Sequence, residues 1–168
     1  SSSLMDHSPW RGIVVIPTYN EKDNIALLLE ALTQTLPEIE IVVVDDSSPD
    51  GTLAEVRKIA EQNLKIHFIS RPEKLGLGPA YLEGFCWAIE KKFDVIVQMD
   101  ADFSHRPVDL VKILDRLTDP ASAVDAVSGS RYVAGGVIRN WSWYRRTVSR
   151  CGNWYAQLFL GVRICDWT

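Results

Sequence analysis

The chain has 168 residues, of which 46% are hydrophobic and 24% charged, a composition that suits a soluble globular domain with enough apolar material for a core. It holds no run of about 18 or more uncharged apolar residues, so nothing in this sequence reads as a bilayer-spanning helix. The formal charge of −4 hides an asymmetry: overall there are 18 basic and 22 acidic residues, but between Ala126 and Cys165 there is no acid and there are six arginines, leaving 12 basic against 22 acidic residues, or −10, for the remainder. A basic segment on an acidic body points to an anionic partner. Cys86, Cys151 and Cys165 show no metal-ligand spacing and read as reduced thiols of a cytosolic protein.

Residues 1–9 read as a disordered tail outside the fold. The first strand is expected at 12–16 (GIVVI), closed by Pro17, which cannot donate to a ladder. A loop, Pro17-Thr18-Tyr19-Asn20-Glu21, leads to a helix that Asn20 or Asp23 could cap, with Ile25, Leu28, Leu29, Leu32 and Leu36 on one face. A second strand at 39–44 runs into an acidic turn segment, residues 45–51 (DDSSPDG). Thr52 and Glu55 then have capping-box spacing for a helix with Leu53, Val56, Ile59 and Ala60 inward. A third strand, 64–69, is followed by a glycine-bearing loop containing Arg71, Lys74, Gly76 and Gly78, with Pro79 suited to a first helical turn. Tyr81, Phe85, Ala88 and Ile89 mark that helix. Residues 94–99 form a fourth, apolar strand ending at Asp100-Ala101-Asp102. Pro107 opens a helix with Val111, Leu114 and Leu117 on one face, and 124–127 is expected as a fifth strand leading to Gly129-Ser130-Arg131-Tyr132. Strands alternating with helices predict an α/β fold, with a mainly parallel sheet flanked by helices.

In such a sheet the strand-to-helix loops share one edge, where ligands bind. The first loop has no glycine, so it lacks both the dinucleotide fingerprint and the phosphate-binding P-loop. It offers an aromatic ring, Tyr19, beside a carboxylate, Glu21. These either stack on a base and accept from its amino or imino groups, or serve only as loop and cap residues. Asp46 either bonds a ribose or base edge or is a turn residue. Lys74 and Arg71 are either phosphate contacts or solvated. Asp100 and Asp102 sit where two acids converge and repel unless a hard divalent cation carrying a nucleotide's phosphates lies between them. An Asp-x-Asp alone is weak evidence, since about one is expected by chance in a chain this rich in Asp. Arg131, expected at the same edge, either neutralises a phosphate or forms a surface ion pair. His105, with no second histidine nearby, reads as a loop or helix-start residue.

Taken in order, Pro17-Thr18-Tyr19-Asn20-Glu21, Val44-Asp45-Asp46-Ser47-Ser48-Pro49-Asp50-Gly51-Thr52, Lys74-Leu75-Gly76-Leu77-Gly78, Met99-Asp100-Ala101-Asp102-Phe103-Ser104-His105 and Ser128-Gly129-Ser130-Arg131-Tyr132 resemble family 2 glycosyltransferases of the GT-A (Rossmann-like) fold. The resemblance is greatest to dolichol-phosphate and polyprenol-phosphate mannose synthases. The segment 139–146 (RNWSWYRR) is similar to the actinobacterial type. The resemblance covers nearly the whole chain from Gly12. It implies one GT-A catalytic domain over 1–168 that transfers mannose from GDP-mannose to a polyprenyl phosphate, with inversion, using Mg²⁺ or Mn²⁺. It also implies that Pro17, Tyr19, Glu21, Val44 and Asp46 hold guanosine, and that Asp100, Ala101 and Asp102 lie at the diphosphate. Asp100, Asp102 and Ser104 would be at the metal, Arg131 at a donor or acceptor phosphate, and Asp102 and Arg131 would be the catalytic pair.

The acceptor phosphate is already anionic near neutral pH, which fits a chain without an obvious general base. Trp141, Trp143, Tyr144, Arg145, Arg146, Arg150, Trp154, Tyr155 and Phe159 suit a lipid headgroup region. The expectation is therefore a peripheral protein on the cytoplasmic face of a membrane, attached through 139–163. The segment from 139 to 168 would be membrane-proximal and truncated at its C-terminal end, because relatives continue past Cys165-Asp166-Trp167-Thr168. The competing readings are a UDP-glucose-dependent enzyme of the same class and a non-catalytic membrane-binding module. A nucleic-acid partner is disfavoured by the acidic body and the lack of a recognisable nucleic-acid fold.

Overall fold

The computed structural model describes residues 10–121 and 124–127. The chain divides into two compact units between Val111 and Lys112, and the sheet lies in the first. Its four strands are β1 (Gly12–Thr18), β2 (Glu40–Asp45), β3 (Ile66–Ser70) and β4 (Val95–Gln98), all parallel and ordered β3-β2-β1-β4. The helices α1 (Lys22–Thr35), α2 (Thr52–Ala60), α3 (Leu77–Glu90) and α4 (Pro107–Thr118) follow β1, β2, β3 and β4 in turn. A parallel sheet with a helical crossover after each strand buries both faces of its central strands, which is why β1 and β2 are nearly unbroken Val/Ile runs. The edge strand β3, by contrast, carries His67 and Ser70 and is partly exposed.

One face carries α3. Ile13 and Val15 of β1 and Val42 and Val44 of β2 cluster with Ala80, Tyr81 and Ala88. Gly84 lets the helix approach: a Cβ there would collide with Val15 Cγ1 and stand 3.2 Å from Val44 Cγ2. On the other face Val14, Ile16 and Val43 are fully buried, α2 touches β2 and β3, and α1 packs on α2 through a stripe that buries Ile25, Leu28, Leu29 and Leu32.

Several expectations change in detail. β1 does not stop at Pro17 but continues to Thr18, with Pro17 level with Val44. The hydrogen bonds explain this. Val15 C=O accepts from Met99 N–H on the β4 side, and Thr18 C=O accepts from Asp46 N–H on the β2 side. Alternation turns Pro17 toward β4, which has already ended, so its missing N–H costs no ladder bond. The α1 start uses neither Asn20 nor Asp23 as cap. Glu21 holds the cap position, and the exposed amides are met from the next loop: Glu21 N–H donates to Thr52 Oγ1 (3.0 Å) and Lys22 N–H to Asp50 Oδ2 (3.1 Å). Thr52 is likewise not the cap of α2, since Gly51 occupies that position and Thr52 Oγ1 donates to Asp50 Oδ1 at 2.6 Å. Ile89, expected inward, points to solvent at 65% exposed, and α3 instead buries Ala80, Tyr81, Gly84 and Ala88. Residues 124–127 form no strand, and Val124 is exposed. Two valines separated by Asp and Ala carry too little apolar surface to hold a strand on their own.

Candidate active site

The ends of β1, β2 and β4 and the start of α3 enclose a cavity of about 410 Å³ lined by Pro17, Thr18, Tyr19, Glu21, Asp46, Lys74, Gly76, Leu77, Ala80, Asp100, Ala101 and Asp102. Seven residues expected from the sequence, Pro17, Tyr19, Glu21, Asp46, Asp100, Ala101 and Asp102, are thus brought together from three loops. Val44 is not among the lining residues: its side chain is fully buried in the cluster beneath α3. Ser104 lies outside the lining and is exposed. Arg131 and the segment 139–163 lie outside the described residues.

The turn after β2 is built around two buried acids. Asp45 accepts from Thr18 Oγ1 at 2.9 Å, Ser48 N–H at 2.9 Å and Ser48 Oγ at 2.6 Å. Asp46, 3% exposed, accepts from Arg71 Nη1 at 2.5 Å through Oδ1, and from Leu75 N–H at 3.1 Å and Gly76 N–H at 2.9 Å through Oδ2. Arg71, 4% exposed, also meets Glu83 Oε2 at 3.0 Å. Neither alternative offered for Arg71 holds: it is neither solvated nor open to a phosphate, and its role is to clamp the β3–α3 loop onto β2. Gly76 has φ +96°, a conformation only glycine adopts without strain, and this aims its amide at Asp46.

Tyr19 is 36% exposed, and Lys74 Nζ sits 3.6 Å from its ring centroid, a cation–π contact on the face that a base would use. Glu21 receives Asn24 Nδ2 on Oε2 at 3.0 Å, and Oε1 has no partner among the described residues. Asp100 Oδ1 accepts from Tyr81 Oη at 2.6 Å. Asp102 Oδ1 accepts from Ser104 N–H at 2.9 Å, across a turn in which Phe103 has φ +58°, an uncommon conformation for a bulky side chain that clusters at functional sites. Burial works to raise the Asp102 pKa, but the Ser104 hydroxyl and amide and the nearby His105 outweigh it and hold the carboxyl below its ordinary range. Burial, then Asp100, push the Tyr81 phenol far up, so it stays a hydrogen-bond donor.

Four acids therefore face one cavity, and among the described residues Lys74 is the lone basic side chain lining it. The residues fit a hard divalent cation of the Mg²⁺ or Mn²⁺ kind. No group of three or more His, Cys, Asp or Glu among the described residues forms a complete cage. Two carboxylates, with phosphate oxygens and water completing the shell, are what nucleotide-bound cations commonly use. Thr18, Leu77 and Ala80 were not anticipated at the cavity. The Tyr81 hydroxyl was missed too, although a buried phenol generally seeks a partner.

The comparisons with known proteins agree with this geometry. A family model described as glycosyl transferase family 2 matches residues 13–165. The chain is 44% identical over 160 residues to the polyprenol monophosphomannose synthase of Mycolicibacterium smegmatis, covering 94% of this chain and 59% of that protein. It is 41% identical over 158 residues to the undecaprenyl-phosphate mannosyltransferase of Micrococcus luteus, covering 94% and 63%. Among solved structures, the mannosyltransferase PcManGT of Pyrobaculum calidifontis, in complex with GDP-Man and Mn²⁺, superposes with a TM-score of 0.56 at 28% identity, over 67% of this chain and 36% of that one. The glucosyl-3-phosphoglycerate synthase of Mycobacterium tuberculosis, at 22% identity and a TM-score of 0.52 over 66% and 40%, shares the fold. The chain spans about three fifths of the length of the two curated relatives. With a GT-A sheet, the acidic strand-end loops and a family match over most of its length, the chain belongs to glycosyl transferase family 2.

Proposed function

We propose that this chain is the nucleotide-sugar-binding part of a metal-dependent mannosyltransferase that moves mannose from GDP-mannose to a polyprenyl phosphate, with inversion at the sugar. The observation that carries this reading is the set of acids at one sheet edge, Glu21, Asp100 and Asp102, that no described cation neutralises. The names of the relatives supply the sugar and the acceptor, and the Pyrobaculum structure the donor and a metal.

Four of the lining residues, Tyr19, Glu21, Asp100 and Asp102, then have tasks. Tyr19 takes the base on its ring once Lys74 moves aside. Glu21 Oε1 accepts from the adjacent imino and amino groups of guanine, a pair of donors that uracil lacks. Asp100 and Asp102 hold the cation, Mn²⁺ or Mg²⁺, with Ser104 keeping Asp102 in place. A bound cation supplies positive charge against the charge that builds on the departing diphosphate. An oxygen of the acceptor phosphate forms a bond to the anomeric carbon from the face opposite the diphosphate. The bond from that carbon to GDP breaks, and its electron pair leaves with GDP. The attacking oxygen is already anionic, so no side chain need remove a proton. Arg131 is assigned to a phosphate, and the arginines and tryptophans of 139–163 to a peripheral seat on the cytoplasmic face of the membrane.

The test is labelled GDP-mannose with a short polyprenyl phosphate and Mn²⁺, using the full chain and Asp102→Asn. Product should form with the natural chain and fall by about 100-fold or more in the variant, the scale for removing a group that stabilises transition-state charge. Unchanged turnover in Asp102→Asn would sink the metal role. Tighter calorimetric binding of UDP than of GDP would sink the mannose donor.

A further inference from the structure

The Tyr81 hydroxyl is not used by the reading above. The ring alone accounts for the packing: Tyr81 is 6% exposed, belongs to the cluster between α3 and the sheet, and stacks on Phe85 with centroids 5.8 Å apart. Phenylalanine would serve that purpose equally. What the oxygen adds is the bond to Asp100 Oδ1 at 2.6 Å, in the short range of hydroxyl-to-carboxylate bonds, beside a contact with the Gln98 side chain.

The placement gives that bond a consequence. Tyr81 sits on a long helix pressed onto β1 and β2 at Gly84, so its hydroxyl is fixed relative to the sheet. Asp100 is in the turn beyond a strand of only four residues, where the main chain alone constrains it little. Oδ2 of Asp100 takes no hydrogen bond or ion pair from any described residue, while Oδ1 is held. Asp102 is arranged in parallel, with Oδ1 held by Ser104 N–H. Left alone, two neighbouring carboxylates would turn away from each other into water. We propose that Tyr81 is the positioning residue of the Asp100-Ala101-Asp102 turn: by holding Oδ1 of Asp100 from the rigid face of α3, it presents the other oxygen alone to a divalent cation and keeps the carboxylate turned toward Asp102. The inference rests on the metal-dependent reading of the site. Hydroxyl and amide partners of this kind orient the carboxylates that bind metals and typically change metal affinity 10- to 100-fold when removed.

The experiment measures Mn²⁺ binding by electron paramagnetic resonance in the presence of GDP, on the full chain. Four proteins are compared: natural, Tyr81→Phe, Phe85→Leu and Asp100→Asn. Tyr81→Phe should weaken Mn²⁺ about tenfold, with a melting temperature in EDTA close to that of the natural chain, and raising Mn²⁺ should restore most of its turnover. Phe85→Leu disturbs the same packing and keeps the hydroxyl; it should melt earlier and bind Mn²⁺ normally. Unchanged Mn²⁺ affinity in Tyr81→Phe, with a loss in Asp100→Asn, overturns the role of Tyr81 and leaves the functional reading standing. Equal weakening in Phe85→Leu also overturns it, because packing and not the hydroxyl would then be at work. No effect in Asp100→Asn removes the metal reading and this inference together.

Discussion

The two edges of the sheet carry similar acids and treat them in opposite ways. Where the strands begin, Glu38, Glu40 and Asp94 each have a donor at hand. Glu40 meets Arg11 Nη2 at 3.0 Å and His67 Nε2 at 2.7 Å, Glu38 meets Lys65 Nζ at 3.2 Å, and Asp94 Oδ2 accepts from Arg11 N–H at 2.8 Å. Arg11 is fixed further by lying 4.3 Å over the Phe93 ring and donating to Lys91 C=O. Where the strands end, Asp46 is the one acid of the four lining the cavity that meets a guanidinium among the described residues. Glu21, Asp100 and Asp102 are met by amides and hydroxyls, which orient a carboxylate without cancelling its charge. One edge is neutralised and serves stability; the other is oriented and left negative, which costs stability until a cation arrives. Acid content alone does not distinguish a binding edge from a structural one. The nature of the donors does.

The largest effect on stability should come from the one cavity acid that a guanidinium neutralises among the described residues. In Arg71→Met the buried Asp46 loses its guanidinium and keeps two amide donors. Stranding one member of a buried pair costs about 3–5 kcal/mol, and the retained amides place the expected loss near the lower end, read as a fall in the urea midpoint at pH 7. The Leu75–Gly76 lip would loosen with it, so GDP should bind more weakly by calorimetry. A midpoint within experimental error of the natural chain would mean that the clamp is incidental. Next in size is Gly84→Ala, which acts between the edges. Val15 is stiff at its β-branch and fully buried, so it cannot yield to the new methyl. Overpacking of about 1–3 kcal/mol works against a gain in helix propensity of about 1 kcal/mol. The expected outcome is a modest net loss in urea unfolding, together with weaker Mn²⁺ binding as α3 lifts Tyr81 from Asp100. Unchanged stability would show that α3 can ride outward without cost.

Much of the fold was legible because it rests on local patterns. β-branched runs mark β1, β2 and β4, and a 3.6-residue repeat marks α1. The cavity acids were legible too, since Asp100 and Asp102 follow an apolar run and Glu21 and Asp46 follow two others. What escaped depends on partners distant in sequence. Thr52 looks like a cap by spacing, but its hydroxyl accepts from Glu21, 31 positions earlier. Asp46 lines the cavity, but its bond from Arg71, 25 positions later, has no signal in its own segment. Val44 lies next to useful residues in sequence, yet strand alternation turns it beneath α3. Tyr81 read as one apolar residue among others on α3, because nothing in its own segment announces the carboxylate 19 positions away. Local order is written in periodicity, whereas the state of a buried charge is decided by which residues the sheet order makes neighbours.

The smallest expected effect tests the neutralised edge and carries a sign. Burial tends to raise the Glu40 pKa, but the His67 and Arg11 hydrogen bonds and charges outweigh it and hold the carboxyl below its ordinary 4.5. A carboxylate whose folded pKa is depressed contributes stability that is fully present above the unfolded value and is lost as pH falls through the folded value. Glu40→Gln should therefore lower stability at pH 7 by about 1 kcal/mol, a figure kept small because Arg11 is 56% exposed and screened by solvent. The gap between natural chain and variant should hold from neutral pH down to about 4.5 and close below it, as the natural carboxyl takes up its proton and the pairing is lost. Urea titrations at pH 7, 5 and 3 would trace this on a scale of about 1 kcal/mol. GDP and Mn²⁺ binding should be unaffected at pH 7, because Glu40 stands at the opposite end of β2 from Asp46. A gap that persisted undiminished at the lowest pH would mean that packing of the Glu40 side chain, and not its charge, supports this edge, and the contrast between the two edges would lose its electrostatic basis.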